Sequence, residues 1–152
     1  MALNFGLSRY KHSDEKEYPT PAALSIQQLN DFTASYGSVG SHTFFHPLLD
    51  RCESDVGFSE CLDSRKRLEE LTGKPVVHFA LPNGNGNENT MVWVRRSGYH
   101  SCRTITPGWV TPKTSPFLLP CFGVSDKADI YKAAIQVCGL WDFFKILKNK
   151  LL

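Results

Sequence analysis

The chain has 152 residues, of which 41% are hydrophobic and 21% charged. That length and composition fit one compact domain and exclude a disordered chain. A net charge of +2 with scattered Lys and Arg excludes a nucleic-acid track, and no apolar run is long enough for a membrane span.

Met1–Tyr10 lacks the apolar core of a signal peptide, so the chain as given is expected to be cytoplasmic. The densest basic run, Arg65-Lys66-Arg67, is flanked by Asp63, Glu69 and Glu70 and reads as a solvated helix face. Five cysteines, at 52, 61, 102, 121 and 138, form no Cys-x-x-Cys pair and are odd in number. Buried free thiols suit them better than a disulfide framework or a cysteine zinc site.

Residues 1–23 are expected to form a polar N-terminal segment, and 24–152 the folded domain. Ser25 stands three residues before Gln28 in a capping-box pattern, and Ile26, Leu29, Phe32 and Tyr36 follow at helical spacing before Gly37. Ser38–Ser41 has room for a short buried strand. Pro47 disfavours helical geometry at His46, which leaves residues 42–47 as a loop after that strand.

The clearest helix is predicted over 55–72, with Phe58, Cys61, Leu62, Arg65, Leu68 and Leu71 as its buried stripe and Gly73 as its cap. A buried strand is predicted over 76–80, and a turn over 82–87. Then come a helix over 89–96, a strand over 99–105, a Pro-rich loop over 106–116 and a strand over 117–124, interrupted by Pro120. Residues 125–147 are expected to be mostly helical with Gly139 as a weak point, and, being apolar on much of the helix surface, to be well buried or to cover a sheet. The alternation predicts an α/β fold with a mostly parallel sheet.

The sharpest chemical feature is Gly40-Ser41-His42-Thr43-Phe44-Phe45-His46-Pro47. Two imidazoles four residues apart, on a loop after a strand, sit where α/β folds carry their sites. Neutral imidazole is the commonest protein ligand for zinc, and a loop can turn both rings to one ion. Ser41 and Thr43 are placed to bond the ring nitrogen that faces away from a metal. On spacing alone the pair suits surface or packing roles as well as a metal. A catalytic metal also needs a third ligand, and the reaction needs a base. His78, within an apolar strand, reads as a hydrogen-bonded core or edge histidine.

Gly-Ser-His-Thr-x-x-His-Pro resembles the metal-binding motif of the polysaccharide deacetylases, carbohydrate esterase family 4 with its NodB homology domain. The resemblance runs on in order. Glu60, Ser64, Leu68, Glu69 and Gly73 match the helix after the motif. Phe79-Ala80-Leu81-Pro82-Asn83-Gly84 is similar to a Phe-Ala-Tyr-Pro-x-Gly segment. Ser97-Gly98-Tyr99 and Leu119-Pro120 match later elements.

The resemblance implies a partial or distorted (β/α) barrel, incomplete at its N-terminus. It implies metal-dependent hydrolysis of N-acetyl or O-acetyl groups on a carbohydrate polymer. His42 and His46 would bind a divalent metal such as zinc, weakly held if its third ligand is missing. Thr43, Pro82, Asn83 and Gly84 would contact an acetylated chitin-, peptidoglycan- or exopolysaccharide-like glycan.

The sequence departs from the family in several places. No Asp-Asp pair occurs, although Asp14, Glu15 and Glu17 lie upstream of the motif. Cys121 stands where a Leu-Pro-Arg element would place Arg, and no late Leu-x-His segment follows. Activity is therefore expected to be impaired, or to need self-association or completion by another chain. The alternatives are a non-catalytic module binding glycan or protein through the same cleft, and an unrelated small α/β protein. Phe44, Phe45, Trp93 and Trp109 are candidates for stacking on sugar rings, burial being the commoner fate of such side chains.

Overall fold

The structure, a computed structural model, describes residues 24–125, 127–141, 143, 144 and 147. The polar segment expected over 1–23, with Asp14, Glu15 and Glu17, lies outside the described residues. Helix α1 (Ile26–Ser35) starts at Ser25 with both halves of the capping box formed. Helix α2 spans Ser54–Thr72 and closes on Gly73, whose φ of 64° few other residues adopt cheaply. The Lys74 ammonium donates to the Thr33 carbonyl and ties the two helices together.

The buried face of α2 differs from the predicted stripe. It runs through Gly57, Glu60, Cys61 and Ser64, with Phe58 and Leu68 packed against the core. Two polar residues are buried because they hold the preceding loop, as described below. Gly57 is buried because the Trp93 ring lies where its Cβ would be.

Strand β1 (His78–Ala80) pairs in parallel with β2 (Ser101–Arg103), His78 opposite Ser101 and Ala80 opposite Arg103. The predicted strand over 76–80 is shorter because the Val76 N–H is taken by the Glu69 carboxylate at 3.0 Å. Helix α3 (Glu88–Arg96) carries a capping box from Asn87 and Thr90. It ends on Gly98, where φ is 84° and Tyr99 N still bonds Val94 O. That closure shortens the second predicted strand.

The predicted strands over 38–41 and 117–124 are reduced to single parallel bridges, Ser41 to Phe79 and Arg103 to Leu119. The bonds are real: Ser41 N to His78 O is 2.8 Å, and Leu119 N to Cys102 O is 2.9 Å. Pro120 has no N–H with which to continue the second of these ladders. The sheet thus steps from the Ser41 segment through β1 and β2 to Leu119, all parallel and not closed. This is the expected partial α/β barrel. Leu49, Cys61, Val76, Phe79, Leu81, Trp93, Val94, Tyr99 and Cys102 form the core between the sheet and helices α2 and α3.

The C-terminal helix departs most from expectation. Helix α4 covers Ile130–Val137, N-capped by Asp129, and Gly139 with φ 76° breaks it before a helical turn resumes at Leu140. Its apolar residues are not buried: Ile130 is 77% exposed and Tyr131 79%. Apolar residues all round a helix need surfaces on all sides, and the open sheet offers little. No described helix is long and apolar enough to cross a membrane.

Candidate metal centre

The motif loop leaves the sheet at Ser41, beside the C-terminal end of β1, and two kinds of contact fix it. The first comes from α2. The Glu60 carboxylate, buried at 6% exposure, accepts the Phe44 and Phe45 N–H groups, each at 2.9 Å from Oε2. Buried hydroxyls of Ser41 and Ser64 meet at 2.8 Å, and Tyr99 closes the chain by donating to the Cys61 carbonyl at 2.8 Å. Glu60 and Ser64 stood out in the sequence only as matched positions; four residues apart, they share a helix face.

The second kind is internal to the loop. Thr43 and His46 have φ of 67° and 55°, a left-handed conformation that costs a non-glycine residue about 1 kcal/mol or more. The Thr43 hydroxyl donates to the His42 carbonyl and accepts the His46 N–H at 3.0 Å. The tight turn brings the two imidazoles together, their ring centroids 4.8 Å apart and their planes at 66°.

The ring partner differs from the one expected. Ser41 and Thr43 are engaged elsewhere, and His42 Nδ1 lies 2.8 Å from the Ala80 carbonyl. A carbonyl only accepts, so Nδ1 carries the proton and Nε2 is left with its lone pair. Burial on that side lowers the His42 pKa. The Ala80 carbonyl opposes the shift, and the charges of His46 and Arg103 add to it. The lowered pKa favours the neutral ring, the state a metal ligand requires.

The donor set fits two of a metal's protein ligands. Among the described residues no group of three or more His, Cys, Asp or Glu is placed to hold an ion.

Pro82–Gly84 follows β1 as a 3-10 turn, with Asn83 and Gly84 at φ of 51° and 71°. It leaves the same sheet edge to which His42 is bonded. A Cβ on Gly84 would overlap Ile105. The substrate-contact residues suggested by the sequence thus lie on two neighbouring loops. Of the aromatic residues, Trp93 is core, while Phe44 and Trp109 are 49% and 64% exposed. An open cleft of about 610 Å³ is lined by Phe44, Phe45, Asp55, Val56, Ser59, Glu60 and Asp63; neither imidazole reaches it. His78 is exposed at the start of β1, its Nδ1 2.8 Å from Ser101 Oγ.

The sequence model of the family described as "Polysaccharide deacetylase" matches residues 21–102, more than half of the chain. No curated protein matches the sequence. Among solved structures, the Streptococcus pyogenes deacetylase PplD, in complex with acetate, aligns with a TM-score of 0.71 at 21% identity, over 78% of this chain and 53% of its own. A polysaccharide deacetylase of Bacillus cereus gives 0.70 at 21% identity, over 86% and 45%. IcaB from Ammonifex degensii gives 0.61 at 22% identity, over 67% and 48%. These likenesses show the fold. The chain spans about half the length of each.

Proposed function

The chain belongs to the polysaccharide deacetylase family, and from that premise we propose that its His42–His46 centre serves metal-dependent removal of acetyl groups from a glycan. The observation that supports this reading is the His42 ring. Its proton is fixed on Nδ1 by the Ala80 carbonyl and its charge is suppressed, at the C-terminal edge of a parallel sheet. His42 and His46 would hold the ion, most simply zinc. Such a metal, when bound, polarises an acyl carbonyl and acidifies a water. Glu60 fixes the loop that carries both rings, so the ligands need little reorganisation. Thr43, Pro82, Asn83 and Gly84 form the wall against which the sugar lies. A third ligand and a base come from outside the described residues or from a second chain. The glycan is a chitin-, peptidoglycan- or exopolysaccharide-like polymer bearing N-acetyl or O-acetyl groups.

The absence of a third ligand among the described residues favours a second reading, a non-catalytic glycan- or protein-binding member of the family. Zinc stoichiometry on the wild type and His42→Ala, followed by turnover of an acetylated chito-oligosaccharide, separates the two. One zinc lost in the variant, with turnover, supports the deacetylase. The same zinc without turnover supports the binding module. Zinc content unchanged by His42→Ala overturns the metal centre.

A further inference from the structure

The open cleft of about 610 Å³ lies between helix α2 and the motif loop, which supplies Phe44 and Phe45. Its size suits a small-molecule ligand. Asp55, Ser59 and Asp63 recur every fourth residue along α2 and so share the face that lines it. The Phe44 and Phe45 ring centroids are 4.9 Å apart, and Phe44 is half exposed. The buried Glu60 joins the two walls. It spends Oε2 on the Phe44 and Phe45 N–H groups, and Oε1 has no hydrogen-bond partner among the described residues. The side-chain polar atoms sealed from solvent without a partner, among the described residues, belong to Asp50 and Ser97. Glu60 Oε1 is therefore open to the cleft it lines, and a buried carboxylate oxygen without a donor is a place for a ligand's N–H. The charged groups lining the cleft, among the described residues, are all carboxylates: Asp55, Glu60 and Asp63. Arg67 lines a separate hollow with Thr43, where it pairs with Glu70 at 3.2 Å. That hollow shares Phe44 with the cleft and so links it to the histidine loop.

We propose that this cleft binds the primary ammonium of a deacetylated amino sugar, the amine among the carboxylates and the sugar face on Phe44. Hydrolysis of an N-acetyl group breaks the amide C–N bond. The oxygen of water goes to acetate, and its two protons end on the nitrogen as an ammonium. Charge is then what separates product from substrate. Carboxylates and aromatic ring faces both attract an ammonium, and a neutral acetamide gains far less from either. Removal of an O-acetyl group leaves only a hydroxyl, so the cleft narrows the substrate to an N-acetylated glycan. The sugar part rests on the deacetylase reading above; the ammonium part stands on the cleft, which neither imidazole lines, and needs no metal.

The test is an NMR titration of the full chain at about pH 6, where a sugar amine is protonated, without metal. The two ligands are the glucosamine dimer and its di-N-acetylated form. The amine dimer is expected to bind at least about tenfold more tightly, moving the Phe44, Ser59 and Asp63 amide signals. The double variant Phe44→Ala with Asp63→Asn should lose this preference. Glu60→Gln, whose amide oxygen can still accept both loop N–H groups, should cut it at least about threefold with the His42 and His46 signals left sharp. His42→Ala should lose zinc yet keep the preference, so failure of the metal centre and failure of this inference are read separately. Equal binding of the two dimers, or a preference that survives in either folded cleft variant, would overturn it. Ethanolamine bound as tightly as the amine dimer would overturn the assignment to an amino sugar.

Discussion

The segment from Ser41 to Thr104 and the segment from Ile130 to Phe144 are both rich in apolar side chains, and they meet different ends. In the first, Leu48, Leu49, Val94 and Cys102 are fully buried, and polar groups seal the packing: Glu60 on two loop amides, Ser64 on Ser41, Tyr99 on Cys61. In the second, Ile130, Tyr131, Phe143 and Phe144 are all more than half exposed. Its described anchors are modest. The Gln136 side chain accepts the Ser125 N–H, and Gly139 sits against Phe122. Apolar content alone does not bury a helix; burial needs a facing surface, and among the described residues that surface lies between the sheet and helices α2 and α3.

The contrast is most severely tested at Trp93, which fills the notch left by Gly57. Trp93→Ala should destabilise the chain by about 4 kcal/mol in urea unfolding, by lost burial plus the cavity left behind. Glu60→Ala should cost about 3 kcal/mol, since two charge-assisted bonds disappear and two amides lose their acceptor. It should also loosen the imidazole pair, visible as broadened His42 and His46 NMR signals. Loop signals left sharp in Glu60→Ala would contradict the clamp.

The buried thiols give a pH signature of the same region. Burial pushes Cys61 and Cys102 from an ordinary 9.0 to about 12. The unfolded chain ionises first, so stability is intact below pH 9 and is lost as pH rises towards 12. The slope approaches about 1.4 kcal/mol per pH unit for each thiol. Alkaline unfolding of Cys61→Ala should be correspondingly less steep. In the open segment the expected effect is smallest: Ile130→Ser should shift stability by no more than about 0.5 kcal/mol. A larger loss would mean that something covers this helix in solution.

Much of the histidine region was legible in the residues. Ser25 and Gln28 announced a capping box, Gly73 a helix end, and Gly-Ser-His-Thr-x-x-His-Pro a two-imidazole loop. Less legible were partners set by contacts distant in sequence. Ser41 and Thr43 looked like ring partners because they flank His42, yet the ring is held by Ala80, thirty-eight residues away. Arg103 carried no signal at all. Its place beside His42 follows from the register of β2 on β1, which a linear reading does not supply.

What the sequence determined by itself was local and periodic: which segments coil, where glycine and proline stop them, and which residue types stand on the loop. These depend on dihedral preferences and on spacing along one chain. The tertiary structure decided which face of α2 turns inward, which carbonyl fixes the imidazole proton, and whether the C-terminal apolar helix finds cover. Each of these depends on groups brought together across the fold, where desolvation and available hydrogen-bond partners outweigh local pattern.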